Sequence, residues 1–387
     1  MATLRIGIDI RPLAGVSGRR GVGTYVRGLL SGLDGLSGSE GAEIVLFGNG
    51  LEPKGSIPAS MRCVRLRRPR RGITLWDQAA WFPVMARRKL SVLHSPFYAV
   101  PWLRPRGCRV VQTVHDLTPL AIEGSVSARN ERIFRANFRL ARTADRVIVP
   151  SQATMRDVAG MLGIRKENIV VIHEACDIGP EDMARADAAA VAVRARLGLT
   201  GRRYLLHTGG HDRVKNLARL LEAFAPLARA SSDLDLVITG EHSAETGRLI
   251  RGAAAIGLLA RVRLPGWIPR DDLIALYRGA SVLVYPSLAE GFGIPLMEAM
   301  ACGTPAVAAS AGALPEVAGD SCLLVAPEDA PAISAAISRI LDDPGLARNL
   351  SEAGRRHARS RFSMARMVES YRALFERNSQ ERHSNHR

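Results

Sequence analysis

The sequence predicts an α/β protein of two doubly wound parallel sheets, and three observations carry that prediction. Short β-rich runs alternate with helical stretches along the whole chain, the pattern of βαβ units. Most of these runs are apolar throughout instead of alternating, as expected for strands covered by helices on both faces. The length, 387 residues, exceeds one ordinary domain and suits two, each large enough to bury its own core.

In chain order, the first run spans 4–10. It holds Arg5 and Asp9 inside apolar residues, so it reads as a buried first strand and not as an export signal, and a cytoplasmic protein is expected. A loop with Gly15, Gly18, Gly21 and Gly23 follows, leading to a helix at about 25–33. Further strands are expected at 43–47, 63–66, 92–94, 109–115, 146–150 and 169–173. The Ala-rich, charged stretch that follows loses the strand pattern and reads as a connector over 178–201, after an N-terminal domain over 1–177. The second half repeats the theme with strands at 204–208, 234–239, 262–264, 282–285, 306–309 and 322–325, giving a C-terminal domain over 202–360. A last helix over 361–376 is expected to pack back on the N-terminal domain, and residues 377–387 read as a frayed polar tail.

Composition excludes several classes. With 47% hydrophobic and 23% charged residues, the profile is that of a soluble globular protein. The longest charge-free apolar stretch, between Glu298 and Glu316, contains Gly303, Pro305, Gly312 and Pro315, which argues against a membrane-spanning helix. Five scattered cysteines, odd in number, fit reduced thiols better than a disulfide or zinc framework. The formal net charge is +16, carried almost wholly by arginine, with only Lys54, Lys89, Lys166 and Lys215 as lysines. The basic residues concentrate in the segment holding Arg62, Arg65, Arg67, Arg68, Arg70 and Arg71, with Arg87, Arg88 and Lys89 soon after. Such a patch attracts anionic lipid head groups at about 1 kcal/mol per basic residue near the surface, or simply forms a solvated face. Nucleic acid is not an expected partner, and the oligomeric state is not readable.

In open parallel sheets ligands bind beyond the carboxyl ends of the strands, so the residues there carry the functional reading. After the strand ending at Tyr285 comes Glu290-Gly291-Phe292-Gly293-Ile294-Pro295-Leu296, then Glu298. Pro295 suits the first residue of a helix, and the amides around Gly291, Phe292, Gly293, Ile294 and Leu296 would face outward beside the positive helix end, a site for a diphosphate. Carboxylates touching a phosphate would repel it, so Glu290 and Glu298 are better placed to accept hydrogen bonds from sugar hydroxyls. Gly209 and Gly210, after the first strand of the second half, let backbone approach a ligand, while Arg213 and Lys215 offer charge to a departing diphosphate. His115 ends a strand of the first half, with Asp116 beside it. Gly266 and Trp267 follow another strand, where a plain turn is the other reading. The pair Gly21 and Gly23 lacks the third glycine and the acidic residue of a nicotinamide site. Asp233 and Asp235 precede a strand and are not read as metal ligands, and no other carboxylate cluster suggests magnesium.

The segment from Glu290 to Glu298, with its Glu-x7-Glu spacing, resembles that of retaining glycosyltransferases of family four, which have the GT-B architecture of two Rossmann-like domains facing a central cleft. The resemblance extends to the Arg213-Val-Lys215-Asn216 element, where the family has adjacent cations, and to His115-Asp116. It implies that Glu290 contacts the transferred sugar, Glu298 the ribose, His115 the sugar hydroxyls, Gly266 and Trp267 the base, and the loop with Gly21 and Gly23 the donor phosphate and acceptor. Where the family often carries an arginine, this chain has Gly209. The segment before Glu316 resembles the family's Pro-Glu element at the edge of the same site. The implied reaction is metal-independent and needs no cofactor: a hexose, mannose from GDP-mannose favoured over a UDP-sugar, passes to a glycan or polyprenyl-linked saccharide. A non-catalytic nucleotide-sugar-binding protein and a nucleotide-sugar 2-epimerase are the alternatives on the same scaffold.

Overall fold

The structure is a computed structural model describing residues 4–14, 18, 21–34, 42–66, 75–97, 100–122 and 127–384. The chain forms two compact units, one of residues 1–175 with 364–387 and one of residues 176–363. The first contains β1 (Leu4–Asp9), α1 (Gly21–Asp34), β2 (Ala42–Gly48), β3 (Arg62–Arg65), α2 (Leu75–Arg88), β4 (Val92–Ser95), β5 (Arg109–Thr113), α3 (Thr118–Ala121), α4 (Ala128–Ala141), β6 (Arg146–Val149), α5 (Gln152–Leu162) and β7 (Ile169–Val171). The second contains α6 (Pro180–Arg196), β8 (Arg203–Thr208), α7 (Leu217–Ala230), β9 (Leu234–Thr239), α8 (Ala244–Ala255), β10 (Val262–Gly266), α9 (Arg270–Gly279), β11 (Val282–Tyr285), α10 (Ile294–Cys302), β12 (Ala306–Ala309), α11 (Leu314–Ala318), β13 (Leu323–Val325), α12 (Ala330–Asp342) and α13 (Pro344–Arg361). The chain then returns to the first unit as α14 (Met364–Ser384).

All strand pairings between named strands are parallel, in the orders β3-β2-β1-β4-β5-β6-β7 and β10-β9-β8-β11-β12-β13. Both sheets reverse direction beside their first strand, β1 or β8, the switch point where parallel α/β sheets place ligands. The apolar runs are buried on both faces: β9 and β11 are buried at every position, and Tyr204, Tyr285 and Phe224 are fully enclosed.

Three boundaries differ from the sequence reading. Residues 178–201 hold helix α6, packed on α9 inside the second unit. Asp182 accepts from the Gly179 amide at 2.7 Å, and Ala186 and Val193, two turns apart, are its buried contacts. A stripe that narrow leaves an otherwise polar helix looking like a linker. The expected frayed tail is instead the end of α14, which runs to Ser384. The last helix, expected from residue 361, starts at Met364 after a break at Phe362, whose ring is buried while its carbonyl accepts from the Cys176 amide at 2.9 Å. Beyond the break, Met367, Tyr371, Leu374 and Phe375 bury in the first unit's core. Finally, α1 starts at Gly21, so Gly21 and Gly23 sit in its first turn and not in the preceding loop. A Cβ on Gly23 would lie 2.1 Å from the Gly18 carbonyl oxygen, so the close approach there requires glycine.

Candidate functional site

In the second unit the loops after β8, β9, β10 and β11 are locked together by backbone. The Gly209 amide donates to the Thr239 carbonyl at 3.2 Å, and the Gly240 amide to the Gly266 carbonyl at 2.8 Å. Gly240 adopts φ +128°, and a Cβ there would stand 1.7 Å from the Gly209 oxygen. Only glycine permits that junction. Gly209 itself has φ +140° and lies against the Lys215 side chain, with Gly210 next to it and partly exposed.

Arg213–Lys215 form one 3₁₀ turn, followed by Asn216 in the left-handed region at φ 57°. The Asn216 amide donates to the carbonyls of Pro286 (3.1 Å) and Pro327 (2.7 Å), which fixes the turn against two neighbouring loops. Lys215 then points inward. Its Nζ lies 2.5 Å from Glu290 Oε1 and 3.1 Å from the Tyr285 hydroxyl, and 5.3 Å from the centre of the Tyr285 ring. Burial opposes its charge, but Glu290 outweighs this and raises its pKa, so Lys215 stays an ammonium. Arg213 lies in the same turn but faces outward, exposed.

Glu290 is held from behind. The Ala313 amide donates to its carbonyl at 3.0 Å, and Gly312, at φ +56°, passes so close that a Cβ would meet the Glu290 nitrogen at 2.8 Å. The short helix that this segment opens, α11, carries Glu316 in its first turn. Gly291 and Phe292 lead to Gly293, the left-handed residue (φ 110°) that caps α10. The helix begins at Ile294, which places Pro295 second and not first, with Leu296 buried behind it. The amide-rich start of α10 therefore lies four residues beyond Glu290.

Glu298 sits one turn further and is 8% exposed. The Tyr277 hydroxyl donates to its Oε2 at 3.0 Å, and Arg270 Nη1 stands 3.8 Å from Oε1 while Nη2 donates to Asp177 at 2.5 Å. Burial, assisted by Asp177, pushes the Glu298 carboxyl up to about 7 against the pull of Arg270 and Tyr277. Trp267 follows the left-handed Gly266 (φ 77°) and is 54% exposed, an indole face open to a planar ligand. Asp233 and Asp235 are committed to arginines: Arg203 binds the first, and Arg202, Arg261 and Arg263 share the second. Among the described residues no cluster of His, Cys, Asp and Glu is arranged to hold a metal ion.

In the first unit the ends of β4, β5 and β7 converge on His115. Its Nδ1 lies 3.1 Å from Glu174 Oε1 and its Nε2 2.8 Å from the Pro96 carbonyl. The ring of Tyr25 stands edge-on at 4.7 Å. Burial works against protonation of His115, yet the hydrogen bond to and charge of Glu174 outweigh it and raise its pKa. Asp116 accepts from the Thr118 amide at 2.9 Å and so starts α3. Of the basic segment, Arg62 and Arg65 are exposed on β3, while Arg67, Arg68, Arg70 and Arg71 lie outside the described residues, as do Arg19 and Arg20. No described helix is long and apolar enough to cross a membrane.

The fold thus brings Lys215, Glu290, the start of α10 and Glu298 together in one unit and places His115 in the other. Tyr285, Tyr277, Arg270, Asp177 and Glu174 were not singled out as functional from sequence, although Tyr285 marks a strand end.

Comparison with known proteins decides the family. The model for glycosyl transferases group 1 matches residues 192–357, and that for Glycosyltransferase Family 4 matches residues 19–179. The chain belongs to the group 1 glycosyltransferases. It is 29% identical over 288 residues to O-antigen chain mannosyltransferase B of Escherichia coli, covering 74% of this chain and 72% of that one. It is 30% identical over 274 residues to D-inositol 3-phosphate glycosyltransferase 1 of Catenulispora acidiphila, covering 66% of this chain and 63% of the other, so here the match spans under two thirds of the relative's length. Anabaena HepE, solved in complex with UDP and glucose, superimposes with a TM-score of 0.71 at 17% identity over 97% of this chain and all of that chain. Two Rossmann-like units in this glycosyltransferase are the GT-B architecture.

Proposed function

We propose that this glycosyltransferase moves a hexose, with retention of configuration and without a metal, from a nucleotide-diphosphate-sugar to a glycan or polyprenyl-linked acceptor in surface polysaccharide or glycolipid assembly. Mannose from GDP-mannose is favoured and a UDP-sugar is second, since the Escherichia coli relative is a mannosyltransferase and Anabaena HepE was solved with UDP and glucose. The observation that carries the reading is Lys215 fixed between Glu290 and Tyr285 beside the start of α10. An ammonium has three protons to donate. Glu290 and Tyr285 take two, and the third is left for a phosphate oxygen of the donor.

In this mechanism Gly291, Phe292, Gly293, Ile294, Pro295 and Leu296 form the helix start that receives the diphosphate, with Arg213 and the Gly209-Gly210 backbone beside it. Glu290 accepts from hydroxyls of the transferred sugar and Glu298 from the ribose, while Gly266 and Trp267 frame the base. The protein acts electrostatically, stabilising the charge that develops on the leaving diphosphate. The first turn of α1, with Gly21 and Gly23, approaches the donor phosphate and the acceptor. Residues 202–360 are the donor domain in this reading and 1–177 the acceptor domain. Anionic membrane binding through the basic segment would place the enzyme at an inner membrane face, which vesicle co-sedimentation at varied anionic lipid content tests.

Thermal shift against GDP-, UDP- and dTDP-sugars tests the donor, followed by NMR of the product's anomeric signal. Stabilisation by UDP-sugars alone refutes the mannose assignment. Turnover and nucleotide affinity unchanged in Lys215→Ala refute the site.

A further inference from the structure

The hydrogen bonds around His115 fix where its protons lie. Pro96 has a carbonyl and no other polar group, so the 2.8 Å contact at Nε2 requires that nitrogen to carry a proton. On the other side, Nδ1 faces Glu174 Oε1 at 3.1 Å. Glu174 is 5% exposed, and its Oε2 is buried without a hydrogen-bond partner among the described residues, while Oε1 is directed at the ring. Other described neighbours have partners of their own. Tyr25 packs edge-on, and its hydroxyl is engaged by Thr113 Oγ1 at 3.1 Å and by Tyr371 of α14. His94, from β4, bonds Thr113 at 2.9 Å and stays neutral because burial and nearby His115 push its pKa down to about 3. Asp116 bonds the Thr118 amide, and Thr154 of α5 reaches the His115 carbonyl at 3.5 Å.

We propose that Glu174 is a positioning residue that holds the His115 ring so that its Nε2 is a permanent hydrogen-bond donor, never a general base. This rests on the reading that His115 meets the transferred sugar. When the donor binds, the Nε2 proton exchanges the Pro96 carbonyl for a sugar hydroxyl oxygen, and Nδ1 remains tied to Glu174. A ring that Glu174 helps to keep protonated also places positive charge near the sugar as the diphosphate departs. No bond to His115 is made or broken in the reaction: the bond from the sugar's anomeric carbon to the diphosphate breaks, the bond to the acceptor oxygen forms, and the acceptor's proton passes to the leaving diphosphate.

The test uses full-length protein labelled with ¹⁵N at histidine, with the His115 signals assigned by their loss in His115→Gln. We expect the wild-type His115 ring to keep both nitrogens protonated to higher pH than an ordinary imidazole. In Glu174→Gln we expect a neutral ring with the proton on Nε2, titrating at least about one pH unit lower. In the same variant kcat falls about tenfold with the donor KM little changed, and the alkaline limb of the pH–kcat profile moves to lower pH. A wild-type ring with bare Nε2 at pH 7.5 overturns the proposal without recourse to any variant. So does a Glu174→Gln protein whose ring protons and pH profile match the wild type. If the spectra are as expected but His115→Gln turns over at the wild-type rate, the pair is structural only and the sugar contact is refuted, while Lys215 and Glu290 are untouched.

Discussion

Replacing Glu298 by glutamine separates what the carboxylate costs the fold from what it contributes to binding. Its carboxyl is pushed from 4.5 up to about 7, chiefly by burial. A folded-state pKa above the unfolded value means that the native protein keeps a proton the unfolded chain gives up between about pH 4.5 and 7. Stability therefore falls as pH rises through that window. The shift of about 2.5 units corresponds to about 3 kcal/mol at pH 8 and above. Glutamine removes that ionisation while its carbonyl oxygen still accepts from Tyr277. It forfeits the attraction of Arg270 at 3.8 Å, so the net gain is smaller, about 1–3 kcal/mol. For a unit of this size that is a rise of about 2–4 °C in Tm per kcal/mol. Calorimetry of the free protein at pH 8.5 and pH 5 reads it: a stabilised Glu298→Gln at the higher pH and no gain at the lower. Donor affinity, measured by titration calorimetry at pH 8.5, falls about 10- to 100-fold through loss of a charged acceptor. Equal destabilisation at both pH values, or unchanged donor affinity, refutes the assignment of Glu298 as a strained, ligand-directed carboxylate.

Other expectations follow from the same geometry. Lys215→Met lowers kcat/KM by about 10²-fold or more by removing the cation beside the helix start, and Tyr285→Phe, which deletes one of its acceptors, lowers it by less than about tenfold; steady-state kinetics ranks the two. Gly240→Ala forces a Cβ to within 1.7 Å of the Gly209 oxygen at a left-handed φ, so urea denaturation reports a loss of about 3 kcal/mol or more, together with a lost thermal shift by the donor. His94 and His207 are neutral when folded, their pKa values pushed down to about 3 by burial, so the unfolded state gains protons first and stability drains as pH falls from about 6.5 towards 3. By pH 5 each costs about 2 kcal/mol, and urea midpoints of His94→Gln decline less steeply than the wild type over that range. In the second unit the Glu298 carboxyl gains stability over the same interval and partly offsets His207.

The sheets were legible because strands buried on both faces must be apolar at nearly every position, as β9 and β11 are. Lys215 and Glu290 were legible for a related reason: each stands just beyond a strand, where a parallel sheet directs its loops. The helix over 180–196 was not, since only Ala186 and Val193 are fully buried and the other residues packed inward, Met183, Ala189 and Ala190, do not make a strong apolar stripe. Nor were the partners of the site. Glu174 lies 59 residues from His115, and Arg270 lies 93 residues from Asp177. The first pair meets because β5 and β7 end on the same edge of one parallel sheet, the second because α6 packs on α9, and a single Glu or Asp after a strand looks the same in sequence whether it faces solvent or a buried imidazole. Glycine carried more information than composition suggested. Gly240 and Gly312 hold the loops that set Gly209 and Glu290, but each reads locally as an ordinary turn residue.

The two inward-facing candidate cations each rest on a carboxylate: Lys215 on Glu290 and His115 on Glu174. Buried pairs of this kind add little net stability, because desolvation consumes most of the Coulomb gain, but each partner keeps the other in one place and one charge state. That suits the proposed donor, which is itself a dianion. A naked lysine beside a helix start would bind any phosphate and hold the released nucleotide diphosphate as firmly as the donor. A lysine already shared with Glu290 and Tyr285 has one proton to offer, and Glu290 accepts a second hydrogen bond only if a sugar hydroxyl arrives with the phosphate. In the proposed mechanism, then, the pair makes phosphate binding and sugar binding conditional on one another, which weakens the grip on the diphosphate once the sugar has been transferred.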